Sequence, residues 1–354
     1  MSVPVIDMAP LRDAGASASA KAAVADAIRH ACITWGFFYI TGHGIQPQVD
    51  ALLRATAALF DLPEPDKAAL AAALSPLHRG WTGVGGAHNC SSAEAGAGPD
   101  NKESFLLGAE GAASPMHGPN PWPPAALLPG WAADVAAYYE SALAVSRDLA
   151  RGLALALRLD ERFFADRMRD PVAQLLLLRY PPAPPAKRGG GRRVVGCGAH
   201  TDCGFLTVLA QDDVPGLEVR PRAAARAALA PGGASNGGGG GGGGEGGWIA
   251  APPRPGALLI NLGDLAEFWS GGLFRSTPHR VTIPDGAAAG RPRHSVVFFC
   301  NGDFDAEVAP LQVALEEGDG GSAQAAAGGG GSGGAGAATT AGRYICEKLG
   351  LMYS

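Results

Sequence analysis

From about residue 170 onward the chain is written in short apolar runs broken by proline and glycine, and no other feature limits the fold as tightly. The runs are Ala173–Tyr180, Phe205–Ala210, Gly256–Leu262, His279–Ile283 and His294–Cys300. Each has the length of a strand, and several short strands separated by turn residues predict a sandwich or a barrel. The first third reads differently. Residues 17–34 are rich in alanine, with Val24, Ile28 and Ala31 at helical spacing, and Gly36–Thr41 reads as a buried strand ended by Gly42. Val49, Leu52, Leu53, Leu59 and Phe60 then mark one helical face that is apolar apart from Thr56. A long helix is predicted over Trp131–Leu157, where Val135, Tyr139, Leu143, Leu149, Leu153 and Leu157 recur near a period of 3.6. Residues 75–125, rich in Gly, Pro and Ser, read as loops.

Glycine accounts for 53 of the 354 residues, and the excess is concentrated in two tracts, Pro231–Gly247 and Gly318–Ala338. Neither tract can bury apolar surface, so both read as disordered surface insertions, and the remainder is still long enough for a substantial core. Gly237–Gly244 is not followed by the Lys-Ser/Thr and helix that a phosphate-binding loop requires. A net charge of −5 without basic clusters argues against nucleic acid or an anionic membrane as the main partner. No apolar run approaches the ~20 residues that span a bilayer. Six cysteines in a chain of this length do not make a disulfide scaffold and read as free thiols. The N-terminus carries no charged region followed by an apolar one, which makes the cytosol the default expectation.

The chemistry concentrates in Gly198-Ala199-His200-Thr201-Asp202-Cys203-Gly204. In an extended segment positions i and i+2 share a face, so His200 and Asp202 present an imidazole and a carboxylate together, with Thr201 on the other side. A second imidazole arrives at Pro278-His279-Arg280-Val281. Two histidines and one carboxylate on one side of a metal leave its other positions open, the arrangement that suits non-haem Fe(II) oxygen chemistry. Alone, a His-x-Asp pair is common by chance, and a single histidine after proline is more often a surface or capping residue. Zinc is an alternative, because Cys197, His200 and Cys203 carry soft ligands at intervals of three. In an extended segment, however, offsets of three put both thiols on the face opposite His200. Further on, Arg293 and Ser295 share a strand face and offer a guanidinium fork and a hydroxyl suited to a carboxylate.

Taken together, these pieces resemble the isopenicillin N synthase-like branch of the Fe(II)/2-oxoglutarate-dependent oxygenases. The resemblance is carried by Val3–Asp7, Trp35–Gly44, Lys102–Phe105, Arg179–Pro182, His200–Asp202, Asn261–Asp264, Pro278–Val281 and Arg293–Ser295, in that order. It implies an α+β fold with a double-stranded β-helix (jelly roll) core preceded by a mainly helical N-terminal region. Residues 1–130 would form that region. Residues 131–310 would form the jelly-roll domain, with the long support helix and the insertion at 231–247. Residues 311–354 would hold a Gly/Ala-rich linker and a C-terminal helix.

The resemblance further implies that His200, Asp202 and His279 ligate Fe(II), while Arg293, Ser295 and Tyr180 hold the distal carboxylate of 2-oxoglutarate. The cosubstrates would be 2-oxoglutarate and O2, with ascorbate as a supporting reductant, and the products succinate, CO2 and an oxidised small organic substrate. Asn261–Asp264 reads as a structural turn, and His43 as structural. Trp81, Phe105, Phe205 and Phe299 are candidate walls of a substrate pocket. Two readings compete. One is an oxidase that uses no 2-oxoglutarate, as isopenicillin N synthase does, raised by Lys102–Phe105 and by Ser114-Pro115-Met116-His117 with Trp122-Pro123. The other is a non-catalytic or zinc-loaded jelly-roll binding module.

Overall fold

The computed structural model describes residues 2–86, 100–182, 194–222, 247–283, 288, 290–313 and 338–350. Apart from Gly247 and Ala338, both glycine tracts lie outside the described residues, as does Cys90.

The strands are β1 (Val5–Asp7), β2 (Phe37–Thr41), β3 (Gly80–Thr82), β4 (Glu103–Gly108), β5 (Pro171–Tyr180), β6 (Val194–His200) and β7 (Leu206–Gln211). They continue as β8 (Leu217–Val219), β9 (Ile249–Ala250), β10 (Leu258–Leu262), β11 (His279–Ile283), β12 (Arg293–Asp303), β13 (Glu307–Val308) and β14 (Thr339–Thr340). The α-helices are α1 (Ala9–Arg12), α2 (Ala18–Thr34), α3 (Gln46–Phe60), α4 (Glu64–Ala68), α5 (Trp131–Ala156), α6 (Asp264–Trp269) and α7 (Ala341–Leu349).

An eight-stranded mixed sheet runs β1-β2-β10-β7-β12-β5-β4-β3, and a four-stranded sheet runs β6-β11-β8-β9. Only β1 and β2 pair in parallel within the large sheet. This two-sheet layout is consistent with a jelly roll. One face of the large sheet is covered by α2, α3 and α5. Phe105, Leu175, Leu177, Val208, Val296 and Phe298 of that face join a continuous core with Ile28, Leu52, Val145 and Leu149 from the helices. The other face looks toward the small sheet, where Tyr39, Leu178, Tyr180 and Leu209 meet Leu217, Val219 and Val281.

The local reasons for these elements are ordinary. Ser17 caps α2, its hydroxyl accepting from the Ala20 amide at 3.2 Å. In α5, Val135, Tyr138, Ala142, Val145, Leu149 and Leu153 are buried at three- and four-residue intervals, a stripe wide enough to lie along the sheet. The expected loop region 75–125 contains two strands, β3 and β4, so that expectation is corrected. Their residues carry no alternation to signal them: in Ser104-Phe105-Leu106-Leu107 only the serine is polar, because both faces of β4 are covered. No helix among the described residues is long and apolar enough to cross a membrane.

Candidate active site

Three side chains from two distant parts of the chain converge between the two sheets. His200 ends β6, His279 opens β11 directly opposite it, and Asp202 follows in the turn that leads to β7. The His279 Nε2 lies 3.7 Å and the His200 Nε2 3.9 Å from Asp202 Oδ1. All three ligand atoms fall within 4.8 Å of one another, and among the described residues no other His/Cys/Asp/Glu group gathers so.

The surrounding hydrogen bonds aim these atoms. His279 Nδ1 faces the Thr277 carbonyl at 3.2 Å and His200 Nδ1 faces the Gly198 carbonyl at 2.8 Å. Each backbone oxygen requires the proton on Nδ1, so the lone pair of each Nε2 points inward. Burial, reinforced by the neighbouring His200, pushes the His279 imidazole down to about 4, so it is neutral at physiological pH. Burial would raise the Asp202 carboxyl, but the two imidazoles and the donors Asn261 and Thr207 outweigh it and hold it below the usual range. The site therefore offers two ring nitrogens and one carboxylate, a donor set that fits Fe(II) with open positions.

Two features differ from the extended segment expected. The strand stops at His200, so Asp202 is not placed by the pleat; its Oδ2 accepts from Thr207 Oγ1 at 2.7 Å and from Asn261 Nδ2 at 2.6 Å. Thr201, expected on the opposite side, lines the same cavity as its neighbours. A β-bulge also shifts the register between His279/His200 and Val281/Cys197. One extra residue in β6 restores Cys197 to the face of His200, and its Sγ lies 3.8 Å from His200 Nδ1. That nitrogen is directed at Gly198, and no cysteine belongs to the converging ligand group.

A cavity of about 490 Å³ opens from this cluster along the inner face of the large sheet. In its wall Arg293, only 3% exposed, donates from Nη1 to Ser295 Oγ at 3.2 Å and from Nη2 to Gln211 Oε1 at 2.9 Å. Its Nε is buried without a hydrogen-bond partner. Its guanidinium carbon stands 5.1 Å from the centre of the Tyr180 ring, whose phenol is pushed up to about 12 by burial, with Cys197 adding to the rise, and stays protonated. Arg293, Ser295 and Tyr180 thus provide donors in the wall of the same cavity that the imidazoles and Asp202 line.

The candidate pocket walls separate. Phe299 lines the cavity. Phe105 is fully buried on the other face of β4 and packs edge-on against Trp131. Phe205 packs against Phe164 and Trp269. Trp81 donates from Nε1 to Glu103 Oε2 at 2.9 Å and is packed against the helical core. These three are corrected to core residues: along β4 it is Ser104 and Leu106, flanking Phe105, that face inward. Leu176 and, unexpectedly, Ile345 and Leu349 of α7 complete the apolar wall. His43 has a structural place, with Nε2 at 3.2 Å from the Gly256 carbonyl and Nδ1 accepting from the Ile45 amide.

Asn261 and Thr207 escaped the reading of the sequence as supports of Asp202, although Asn261 stood in a motif already singled out. They pair across β10 and β7, a register no local pattern reveals. Asn261→Ala is expected to weaken Fe(II) binding roughly 10- to 100-fold, the usual cost of removing an outer-shell partner, in an anaerobic metal titration. Unchanged affinity would show that Thr207 alone suffices to orient the carboxylate.

Comparison with known proteins agrees with this geometry. Residues 3–125 match the family described as non-haem dioxygenase in morphine synthesis N-terminal, and residues 172–302 match the 2OG-Fe(II) oxygenase superfamily. A 2-oxoglutarate-dependent dioxygenase, citB, of Monascus ruber is 32% identical over 328 residues, covering 87% of each chain. The Arabidopsis thaliana homoarginine-6-hydroxylase is 29% identical over 329 residues, covering 89% of this chain and 81% of its own. A full-length Neurospora crassa protein crystallised with alpha-KG superposes with a TM-score of 0.74 at 25% identity, covering 99% of this chain and 96% of its own. The dioxygenase for auxin oxidation in rice gives 0.61 at 28% identity, covering 88% and 87%. The reading as an oxidase without 2-oxoglutarate is therefore not favoured. A His/Asp/His cluster in one cavity with a buried arginine, carried on a chain aligned along most of its length with these relatives, has one family origin: the chain belongs to the 2OG-Fe(II) oxygenase superfamily and is an Fe(II)- and 2-oxoglutarate-dependent dioxygenase.

Proposed function

We propose that His200, Asp202 and His279 hold the Fe(II), that Arg293 and Ser295 with Tyr180 hold the distal carboxylate of 2-oxoglutarate, and that a small organic substrate occupies the rest of the cavity. The jelly-roll core, residues 131–310, carries these groups on this reading, and the N-terminal region, 1–130, closes one side. The observation that carries it is the coexistence, in the wall of one cavity, of three converging ligand atoms and the buried guanidinium of Arg293 beside Ser295. When bound, the metal supplies the O2 chemistry that couples decarboxylation of 2-oxoglutarate to succinate and CO2 with oxidation of a substrate C–H bond.

The protein's own part is orientation. The carbonyls of Gly198 and Thr277 keep both imidazoles in one tautomer, and Asn261 and Thr207 leave a single Asp202 oxygen facing them. The Arg293 fork fixes the far end of the cosubstrate, so that its other end is presented to the ligand cluster. Leu106, Leu176, Phe299, Ile345 and Leu349 make much of the remaining cavity wall apolar, with Ser104, Gln174 and Asn301 among its polar groups. A substrate that is mainly apolar with few polar groups fits such walls. Among similar proteins one is named a homoarginine-6-hydroxylase, and the Neurospora crassa structure has also been determined with thymine; both names indicate small molecules.

The test is a screen of a metabolite library for substrate-stimulated succinate and CO2 release, with Fe(II), 2-oxoglutarate and ascorbate present. At least one compound is expected to raise succinate release well above the uncoupled rate and to appear as an oxidised product. Substrate oxidation with no succinate formed would overturn the 2-oxoglutarate assignment in favour of an oxidase.

A further inference from the structure

The β-bulge that brings His200 into place is itself held from outside its own sheet. Opposite Arg280 of β11, β6 inserts both Gly198 and Ala199. Gly198 is the hub of this irregularity. Its carbonyl faces His200 Nδ1 at 2.8 Å, while its amide donates to Asp100 Oδ1 at 2.9 Å. The other oxygen of Asp100 is paired with Lys102 Nζ at 2.9 Å, and both residues are buried, at 8% and 4% exposure. Lys102 Nζ also lies 3.3 Å from Cys197 Sγ, one residue before Gly198. Asp100 and Lys102 immediately precede β4 of the large sheet, whereas β6 is an edge strand of the small one. The pair is thus a strut between the two sheets, and it ends on the residue whose carbonyl orients His200.

We propose that Asp100, held in place by Lys102, is a positioning residue for His200: it pins the bulge at Gly198 and so sets the direction of the imidazole. This role rests on His200 being a metal ligand, as proposed above. An extra residue in a strand can be accommodated in more than one backbone conformation, and a bulge beside a site re-aims a side chain only if something selects one of them. The carboxylate does so by giving the Gly198 amide a charge-assisted acceptor in a place where no strand partner offers one. Lys102 supplies the countercharge without which a buried carboxylate would be costly. The other two ligands have anchors of their own, Thr277 for His279 and Asn261 with Thr207 for Asp202, so loss of the strut acts on one ligand of three.

Two charge-neutral double variants isolate the acceptor. Asp100→Asn with Lys102→Gln keeps an oxygen for the Gly198 amide, and Asp100→Ala with Lys102→Met does not. Each full-length protein is titrated anaerobically with Co(II), followed by calorimetry and by the visible absorption of the bound ion, with His200→Ala as reference. The acceptor-less pair is expected to bind Co(II) about 10- to 100-fold more weakly with an altered spectrum, and the acceptor-retaining pair to stay within about threefold of the parent. If the Ala/Met protein does not fold, Asp100→Ser with Lys102→Gln replaces it, the serine hydroxyl being too short to reach Gly198. Equal affinities and spectra for the two pairs, with His200→Ala weakened, would overturn the positioning role and leave the ligand assignment standing. A His200→Ala protein that binds Co(II) as tightly as the parent would overturn the ligand assignment itself.

Discussion

His279→Ala is expected to lower 2-oxoglutarate turnover by at least about 10³-fold while leaving the far-UV spectrum and a cooperative thermal transition intact. The size follows from the ligand set. Losing a partner behind a ligand costs roughly 10- to 100-fold in metal affinity or activity, and on the ligand assignment proposed above losing His279 removes one of three protein bonds to the ion. The fold should survive because His279 contributes little packing. Its ring meets Phe37 edge-on at 5.3 Å and His200 at 4.2 Å, and the far side of the ring borders the cavity. The cavity simply widens there, and no buried hydrogen-bond acceptor is stranded apart from the Thr277 carbonyl. His279→Gln separates geometry from chemistry, since an amide oxygen can approach the same point without offering an imidazole. Measured turnover of 2-oxoglutarate under saturating Fe(II) decides the matter: activity within tenfold of the parent in His279→Ala would remove that residue from the ligand set.

Much of the candidate site could be named before any coordinates, and the parts that could not share a physical cause. His200, Asp202 and His279 carry rare functional groups whose residue types announce their chemistry, and Arg293 and Ser295 lie two apart on one strand where pleat geometry places both inward. By contrast, the choice between Phe105 and Leu106 as a cavity wall is invisible locally. β4 is covered on both faces, so its apolar residues show no alternation, and only the pairing of β4 with β5 tells which set faces the cavity. The strand β6 hid for a related reason. Val194-Val195-Gly196-Cys197-Gly198-Ala199-His200 contains two glycines and two shifts of register, which break the apolar run that marks a strand. The C-terminal helix was legible as a helix, but not its place. Ile345, Lys348 and Leu349 sit three and four apart on the side of α7 that meets the cavity, brought there by β14 pairing with β13. Such long-range pairings are properties of the whole fold, and the residues that depend on them have no local signature.

Arg293→Ala is expected to raise the 2-oxoglutarate concentration needed for half-maximal turnover by about 10²- to 10⁴-fold, with a much smaller effect on the rate at saturation. Hydrogen bonds to a charged partner contribute about 1.5–3 kcal/mol each, and a guanidinium can make two to one carboxylate, so about 3–6 kcal/mol of binding is at stake. Each 1.4 kcal/mol is a factor of ten in affinity, which gives the stated range. The residue stands well away from the reacting end of the cosubstrate on this reading, so its loss acts on binding more than on the chemical step. Arg293→Lys tests whether charge alone is enough. A lysine retains the positive charge but not the planar fork, and it cannot donate to Ser295, Gln211 and a bound carboxylate with the same geometry. It should fall between the parent and the alanine variant. Ser295→Ala, which removes one hydroxyl and leaves the guanidinium, should cost about 10- to 10²-fold, in line with a single hydrogen bond to a charged group. The order Ser295→Ala, Arg293→Lys, Arg293→Ala in rising requirement is the signature of a carboxylate held by a fork and a hydroxyl together. A requirement unchanged across all three variants would mean that the Arg293 guanidinium does not hold 2-oxoglutarate, and the cosubstrate site would have to be sought elsewhere in the cavity.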